Sequence, residues 1–350
     1  MTRHLASARK ISRLDPIPKA DRIECAHVGG WPVVVRKDEF RPGDLCVYFE
    51  PDSMLPLSNP EFSKLSKSGK HEDNSAGEAC VVLRTNRIRG QISQGLAVRP
   101  EALGLGPILE GEDLSDRLHI EKYDPPEAPT VSNMKRKPFF LIKTDEERVQ
   151  NLTEMVEWLD AHPHAAFMYR ASEKIDGTST SYYRTVDDDG TVRYGACSND
   201  HEIIRGGDDL YWRNYDANNV RSLLDGIAQE SGGRTIIIQG ESAGPKINGN
   251  RLGLKALSFF IFNVLVDGVR NDPHDMDILA SHTVPALNLE LPSGMDEVIG
   301  QAYGLKSLVS PDRLAEGIVW RFDGPAPSDG FRSEWSHFKV LNNKYLLKLK

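Results

Sequence analysis

Over the first third of the chain, apolar residues come in short strand-length runs separated by glycine turns. Trp31-Pro32-Val33-Val34-Val35 follows Gly29-Gly30, and Leu45-Cys46-Val47-Tyr48-Phe49 follows Gly43-Asp44. Ala79-Cys80-Val81-Val82-Leu83 then leads through Arg84 into Arg87-Ile88-Arg89-Gly90-Gln91-Ile92-Ser93-Gln94-Gly95-Leu96. This punctuation predicts a small β-barrel over residues 1–125. Leu57 to Gly77, rich in Ser, Lys, Asn and Gly, reads as a mobile loop. Residues 126–140, within a stretch holding Pro125, Pro126, Pro129, Pro138 and Lys135-Arg136-Lys137, read as a linker.

The period changes over residues 141–350. Thr144 and Glu147 have the spacing of a capping box, and Leu152, Met155, Val156 and Leu159 recur at helical intervals. Phe167–Ser172, Ser179–Thr185 and Val192–Cys197 then predict an antiparallel meander, with Asp189-Gly190 as one turn. A helix on Val220, Leu223, Leu224 and Ile227 separates this meander from the β-branched run Thr235–Ile238. The expected class is α+β: a front barrel, then a domain of antiparallel sheets whose strand ends line a cleft.

Composition narrows the classes. The chain has 350 residues, 39% hydrophobic and 27% charged, enough for two domains with separate cores. No apolar run approaches a membrane span, and Met1-Thr2-Arg3-His4 starts no secretory signal. The four cysteines (Cys25, Cys46, Cys80, Cys197) form no C-x-x-C pair, and the histidines show no metal-ligand spacing. A reducing, cytoplasmic setting is therefore expected. The net charge of −8 argues against a protein that coats nucleic acid, but not against a local basic groove. Lys135-Arg136-Lys137 and the terminal lysines are candidates for such a groove.

The chemistry centres on Lys174-Ile175-Asp176-Gly177. On its own this is equally a hairpin, since Asp-Gly is a favoured two-residue turn. It gains meaning from the elements downstream of it: Gln239-Gly240-Glu241 at the end of a strand, the aromatic strand Phe259–Val264, Glu316-Gly317 opening Ile318-Val319-Trp320-Arg321, and Phe338-Lys339-Val340 near the end. Singly, each is more often a rim or core residue. In this order they resemble motifs I, III, IIIa, IV and V of the DNA ligase, RNA ligase and capping-enzyme superfamily.

Eleven residues follow Lys339, too few for the trailing barrel of DNA ligases and capping enzymes. With the barrel in front, the chain resembles the two-domain ATP-dependent RNA ligases of the Deinococcus and Naegleria type. Ala20-Asp21-Arg22-Ile23-Glu24, Glu50-Pro51-Asp52-Ser53, Arg89-Gly90-Gln91-Ile92-Ser93-Gln94-Gly95 and Thr144–Asn151 are similar to that family over nearly the whole chain. The resemblance implies an N-terminal OB-like module, a C-terminal adenylyltransferase domain, ATP with Mg²⁺ or Mn²⁺, and a nicked RNA-containing duplex as substrate, with the protein acting as a monomer away from membranes.

It also implies roles. Lys174 carries AMP, and Lys339 is the cation on the α-phosphate. Asp176, Glu241 and Glu316 grip a hydrated metal. Phe262 stacks on adenine, Glu173 reads the base edge, and Arg148 helps place the pyrophosphate. The family often has an arginine where Cys197-Ser198-Asn199-Asp200 has Asn199, leaving Arg193 or Arg205 as substitutes. Leu341 stands where motif V often carries a second lysine, which makes Lys344 the candidate for that role. A capping-type nucleotidyltransferase using GTP and a non-catalytic OB-fold RNA-binding protein are the alternatives.

Overall fold

A computed structural model describes residues 4–67, 69–124, 134–142, 144–206, 209–325, 327 and 329–348. In the N-terminal part, Ala6–Pro16 is long enough to serve two partners. It pairs antiparallel with Ile23–Val28 on one side and Leu45–Phe49 on the other, with a register shift between Ile11 and Arg13. The five-stranded sheet runs from Leu96–Val98 to Trp31–Arg36, and these outer strands approach each other to close most of a barrel. Trp31 and Tyr48 fill it, both fully buried with ring centres 5.9 Å apart.

The segment Leu57–Gly77 is more ordered than its polar composition suggests. Pro60–Ser63 forms a helical turn capped by Asn59, and Phe62 packs edge-on against Phe49 with ring centres 5.1 Å apart. Lys70–Asp73 then pairs with Ala79–Val82 in a second sheet, beside Ser53–Pro56 and Glu121–Lys122. One buried aromatic anchors what composition alone reads as loop. Residues 126–133 of the expected linker lie outside the described residues. Its next residues are not linker-like: Met134–Arg136 is a strand paired with His201–Ile203.

Two sheets build the C-terminal part. One has seven strands, running in order Met134–Arg136, His201–Ile203, Val192–Cys197, Thr178–Val186, Ile236–Ala243, Ser258–Val266 and Val269–Asn271. The helices Leu210–Ala217 and Val220–Ser231 cover it, and Tyr182, Leu224, Ile238 and Phe259 form its buried core. The other sheet has five strands: Glu147–Arg148, His337–Leu341, Gly317–Phe322, Tyr169–Lys174 and Ala286–Leu287. Its core holds Val149, Met155, Trp320, Phe338 and Val340.

Two local expectations change. The helix begins at Thr153 with Leu152 as its cap residue, and no side chain caps it. Glu147 is instead in a strand, where its Oε1 accepts from Arg148 N at 2.8 Å and Asn151 Nδ2 at 3.0 Å. The helical face on Met155, Val156 and Leu159 is buried as the spacing predicts. The meander is also split. Thr178–Val186 and Val192–Cys197 pair as expected, but Tyr169–Lys174 belongs to the other sheet, beside Gly317–Phe322. Ile175-Asp176-Gly177 therefore crosses between two sheets rather than turning a hairpin, and the cleft opens at that crossing.

Candidate active site

The crossing is held by a close approach. A Cβ on Gly177 would collide with the Ser242 carbonyl and lie 2.9 Å from Glu241 Cγ, so glycine is what lets the two sheets meet here. Strand register then delivers the functional side chains. Lys174 pairs with Gly317, which sets it diagonally beside Glu316, and the Lys174 ammonium donates to Glu316 Oε2 at 2.8 Å. Ser179 pairs with Glu241 from the other sheet, and Val319 pairs with Lys339.

Around Lys174 lies a cleft of about 410 Å³, the scale of a small-ligand site. Glu173, Asn199, Glu241, Phe262 and Lys339 line it, as does Lys174 itself. So do residues that sequence reasoning gave no role there: Lys122 from the end of the barrel part, Asp145, Glu146, Val319 and Arg321. Arg321 braces Phe262: its guanidinium lies 5.2 Å from the ring centre and donates to Phe262 O at 2.7 Å and Glu146 Oε1 at 3.0 Å. The signal for it was in the sequence, one residue after Trp320, but a lone arginine at a strand end carries no specific message.

Glu173 is 1% exposed; its Oε2 accepts from Leu308 N at 2.7 Å, and its Oε1 has no partner among the described residues. Burial raises its pKa against the hydrogen bonds it accepts.

Electrostatics in the cleft are dominated by carboxylates. Burial pushes Glu241 up to about 8, opposed by the Lys174 charge and reinforced by Glu316 and Asp176. Glu316 is raised for the same reason, with Lys174 opposing. Burial works to lower the Lys174 pKa, but Glu316 and Glu241 outweigh it and hold the amine above the ordinary lysine value. Lys339 is lowered by burial, against the attraction of Asp145 at 3.5 Å.

Not every expected residue joins the cleft lining. Asp176 turns to Arg251, whose Nη1 donates to its two oxygens at 3.2 and 3.1 Å, and Asn248 Nδ2 donates to Gly177 O. Arg148 is 6% exposed at the junction with the barrel part, bonded to Asp52 at 2.9 Å and lying 5.5 Å from the Trp31 ring centre. Lys344 is exposed on the short helix Asn343–Leu346 and does not line the cleft. Arg193 pairs with Asp187 and Arg205 with Asp216, and neither lines the cleft, so neither stands in for an arginine at Asn199.

Among the described residues, no group of three or more His, Cys, Asp or Glu converges tightly enough to cage an ion directly. The carboxylates still fit a hydrated divalent cation: burial first, and then the charges of Glu316 and Asp176, disfavour an ionised Glu241, and such an ion would offset that charge.

A barrel module in front of an antiparallel domain, with a lysine and carboxylates at the sheet crossing, defines the nucleotidyltransferase class. The comparisons make the family specific. An OB-fold domain model matches residues 5–100, and an RNA ligase model matches residues 168–340. The RNA ligase of Naegleria gruberi with PPi is 31% identical over 99% of each chain, with a TM-score of 0.82. A lysine-to-alanine variant of that ligase with ATP and Mn is 30% identical over 98% of each chain, with a TM-score of 0.80. An apo variant is 30% identical over 99% of this chain and 98% of that one, with a TM-score of 0.81. No curated protein matches the chain by sequence. The chain belongs to the RNA ligase family, with an OB-fold domain ahead of its ligase domain.

Proposed function

We propose that this protein joins 3′-hydroxyl and 5′-phosphate ends at nicks in duplexes with RNA on the 3′-hydroxyl side, by way of AMP carried on Lys174. The observation that carries the reading is Lys174 itself: a cleft-lining amine 2.8 Å from the half-buried Glu316 carboxylate, in a cleft that Phe262 and Lys339 also line. The related Naegleria ligase with bound ATP and Mn supports the same nucleotide and a divalent metal here.

Lysine is an ammonium at neutral pH and must lose a proton before it can attack phosphorus. Glu316, hydrogen-bonded to it and more basic than an ordinary carboxylate, is the acceptor. The Lys174 nitrogen then bonds to the α-phosphorus of ATP as the bond to the β-phosphate oxygen breaks, releasing pyrophosphate. Lys339, paired in the resting site with Asp145, balances the α-phosphate oxygens. A divalent cation gripped through its waters by Glu241 and Glu316, with Asp176 once Arg251 releases it, would lower the amine pKa and offset phosphate charge. Next, a 5′-phosphate oxygen takes AMP from Lys174, and a 3′-hydroxyl displaces AMP to close the strand.

Base choice follows from Glu173. Its buried Oε1 has no donor among the described residues, and adenine offers an exocyclic amine where guanine offers a carbonyl. Four free buried thiols suit a reducing compartment.

The test is incubation with α-labelled ATP or GTP and Mg²⁺ or Mn²⁺, beside Lys174→Ala, followed by a denaturing gel and then a nicked RNA-containing duplex. Label from ATP on the wild type alone, passing to RNA and then to a sealed strand, is expected. Label from GTP moves the reading to capping chemistry. No label on folded protein favours the binding-protein alternative.

A further inference from the structure

The hairpin that carries Asn199 and Asp200 into the nucleotide cleft continues out of it. Glu202, Ile203 and Ile204, next in the chain, line a second cavity of about 320 Å³. The two sites are thus joined by the short strand His201–Ile203. At ~3.3 Å per residue, Asp200 to Ile204 spans roughly 13 Å of extended chain, the reach of a few nucleotides.

The outer neighbour of that strand is basic. Met134–Arg136 pairs with it, and Lys135, Arg136 and Lys137 follow one another there. Lys137 Nζ donates to Asn199 O at 3.1 Å, beside the nucleotide cleft, while Lys135 meets Glu202 at 2.9 Å beside the second cavity. The cationic run flagged in the sequence therefore bridges the two sites.

Across the second cavity, arginines lie on aromatic rings. The Arg205 guanidinium is 4.8 Å from the Trp212 ring centre and 5.8 Å from that of Tyr215; Arg221 is 4.7 Å from Tyr194. Their side chains remain 56% and 69% exposed. A ring behind a guanidinium restrains it and leaves its N–H edges facing outward, the arrangement that suits phosphate. Each has a carboxylate nearby, Asp216 at 2.7 Å and Asp225 at 3.6 Å, but ion pairs this exposed contribute little and yield readily to a phosphate.

We propose that this cavity and the Lys135–Lys137 edge form a track for the RNA strand on one side of the join, holding its sugar–phosphate backbone. The proposal rests on the ligase reading of the cleft. Clustered cations suit a sugar–phosphate backbone bound without sequence preference, and the half-buried Tyr194 and 45% exposed Ile204 add a surface for a ribose or base face. Against the protein's overall negative charge, such a local stripe of cations is where a phosphate backbone is drawn in.

The test compares the wild type with a triple variant, Lys135→Ala, Arg205→Ala and Arg221→Ala. Lysyl-AMP formation from labelled ATP reads the fold and the nucleotide cleft, and stays within twofold of wild type. Sealing by preloaded enzyme loses at least tenfold at limiting nicked duplex and recovers at saturating duplex. The slope of log affinity against log salt becomes shallower by about 0.7–0.9 for each phosphate contact removed. Unchanged sealing and salt slope would overturn the proposal.

Should the variant fail to take up AMP, the wild type answers alone. A nicked duplex carrying 4-thiouridine within a few nucleotides of the join is irradiated and the adducts are mapped. Cross-links in peptides bearing Tyr194 or Ile204 support the track, and cross-links confined to other surfaces reject it. A wild type that takes no label from ATP sinks the ligase reading instead, so the two failures are distinct.

Discussion

The Lys174 ammonium and the Glu316 carboxylate meet at 2.8 Å because Lys174 and Gly317 are register partners in one antiparallel pair. The pair keeps the nucleophile protonated: the neighbouring carboxylates hold its pKa above the ordinary lysine value despite burial. The resting site is thus charged and inert, and activation means relieving that carboxylate field.

Glu316→Gln separates the two sides of this relationship. Removing the charge destabilises the ammonium, so the Lys174 pKa falls and its reactivity toward an acylating reagent at pH 8 rises. Lysyl-AMP formation nevertheless drops, by about 100-fold or more, because the proton acceptor is gone. Mass spectrometry of the acylated lysine beside an adenylylation time course checks both directions. A slower acylation in the variant would mean that Glu316 is not what holds the proton on.

Glu241 carries a stability cost with a defined pH window. Its folded pKa is pushed up to about 8, whereas an unfolded glutamate titrates near ~4.3. The folded state binds the extra proton between these values, so stability is fully present below about 4.3 and is lost as pH climbs toward 8. Glu241→Gln removes the penalty. Its melting temperature exceeds that of the wild type by a few degrees at pH 8, and the gain shrinks as pH falls to 4. Adenylylation is lost at the same time. Thermal melts across pH, without metal, measure the effect; a gain that is flat with pH contradicts it.

Much of this site was legible because it depends on local motifs. Glu173, Lys174, Glu241, Phe262 and Lys339 stand on strands that the apolar runs predicted, and they line one cleft. What was not legible is long-range pairing. Alternation of apolar residues cannot say which sheet Tyr169–Lys174 joins, so the crossing at Gly177 looked like a hairpin turn. Phe62 could not be told from a loop residue without the ring of Phe49 to bury it. Arg148 sits in a domain junction that a single sequence does not reveal, and Asp176 faces an arginine seventy-five residues away.

Arg148 and Asp52 tie the OB-fold domain to the ligase domain. Arg148 is 6% exposed and its Nη2 lies 2.9 Å from Asp52, which Arg84 also approaches at 3.7 Å. Asp52→Ala removes a carboxylate from beside a buried guanidinium and costs about 3 kcal/mol. Arg148→Ala costs less, because Asp52 keeps Arg84 and more contact with solvent. Urea unfolding of both variants measures the asymmetry, and equal losses would show that burial of Arg148 is not what makes the pair costly to break.

Nucleotide choice rests on Glu173, whose two oxygens have different fates. Oε2 is committed to Leu308 N at 2.7 Å, while Oε1 is buried at the cleft with no donor among the described residues. Adenine supplies a donor and guanine an acceptor, so a carboxylate there accepts the first and repels the second. Glu173→Gln keeps the bond to Leu308 through its amide oxygen and turns the free position into an N–H₂ donor. Adenylylation by ATP weakens by roughly tenfold, the value of one hydrogen bond to a charged group, while GTP use rises from its lower level. The readout is the ratio of kcat/KM for the two nucleotides in lysyl-nucleotide formation. An equal loss with both nucleotides would assign Glu173 to supporting the Ser307–Val309 segment rather than to reading the base.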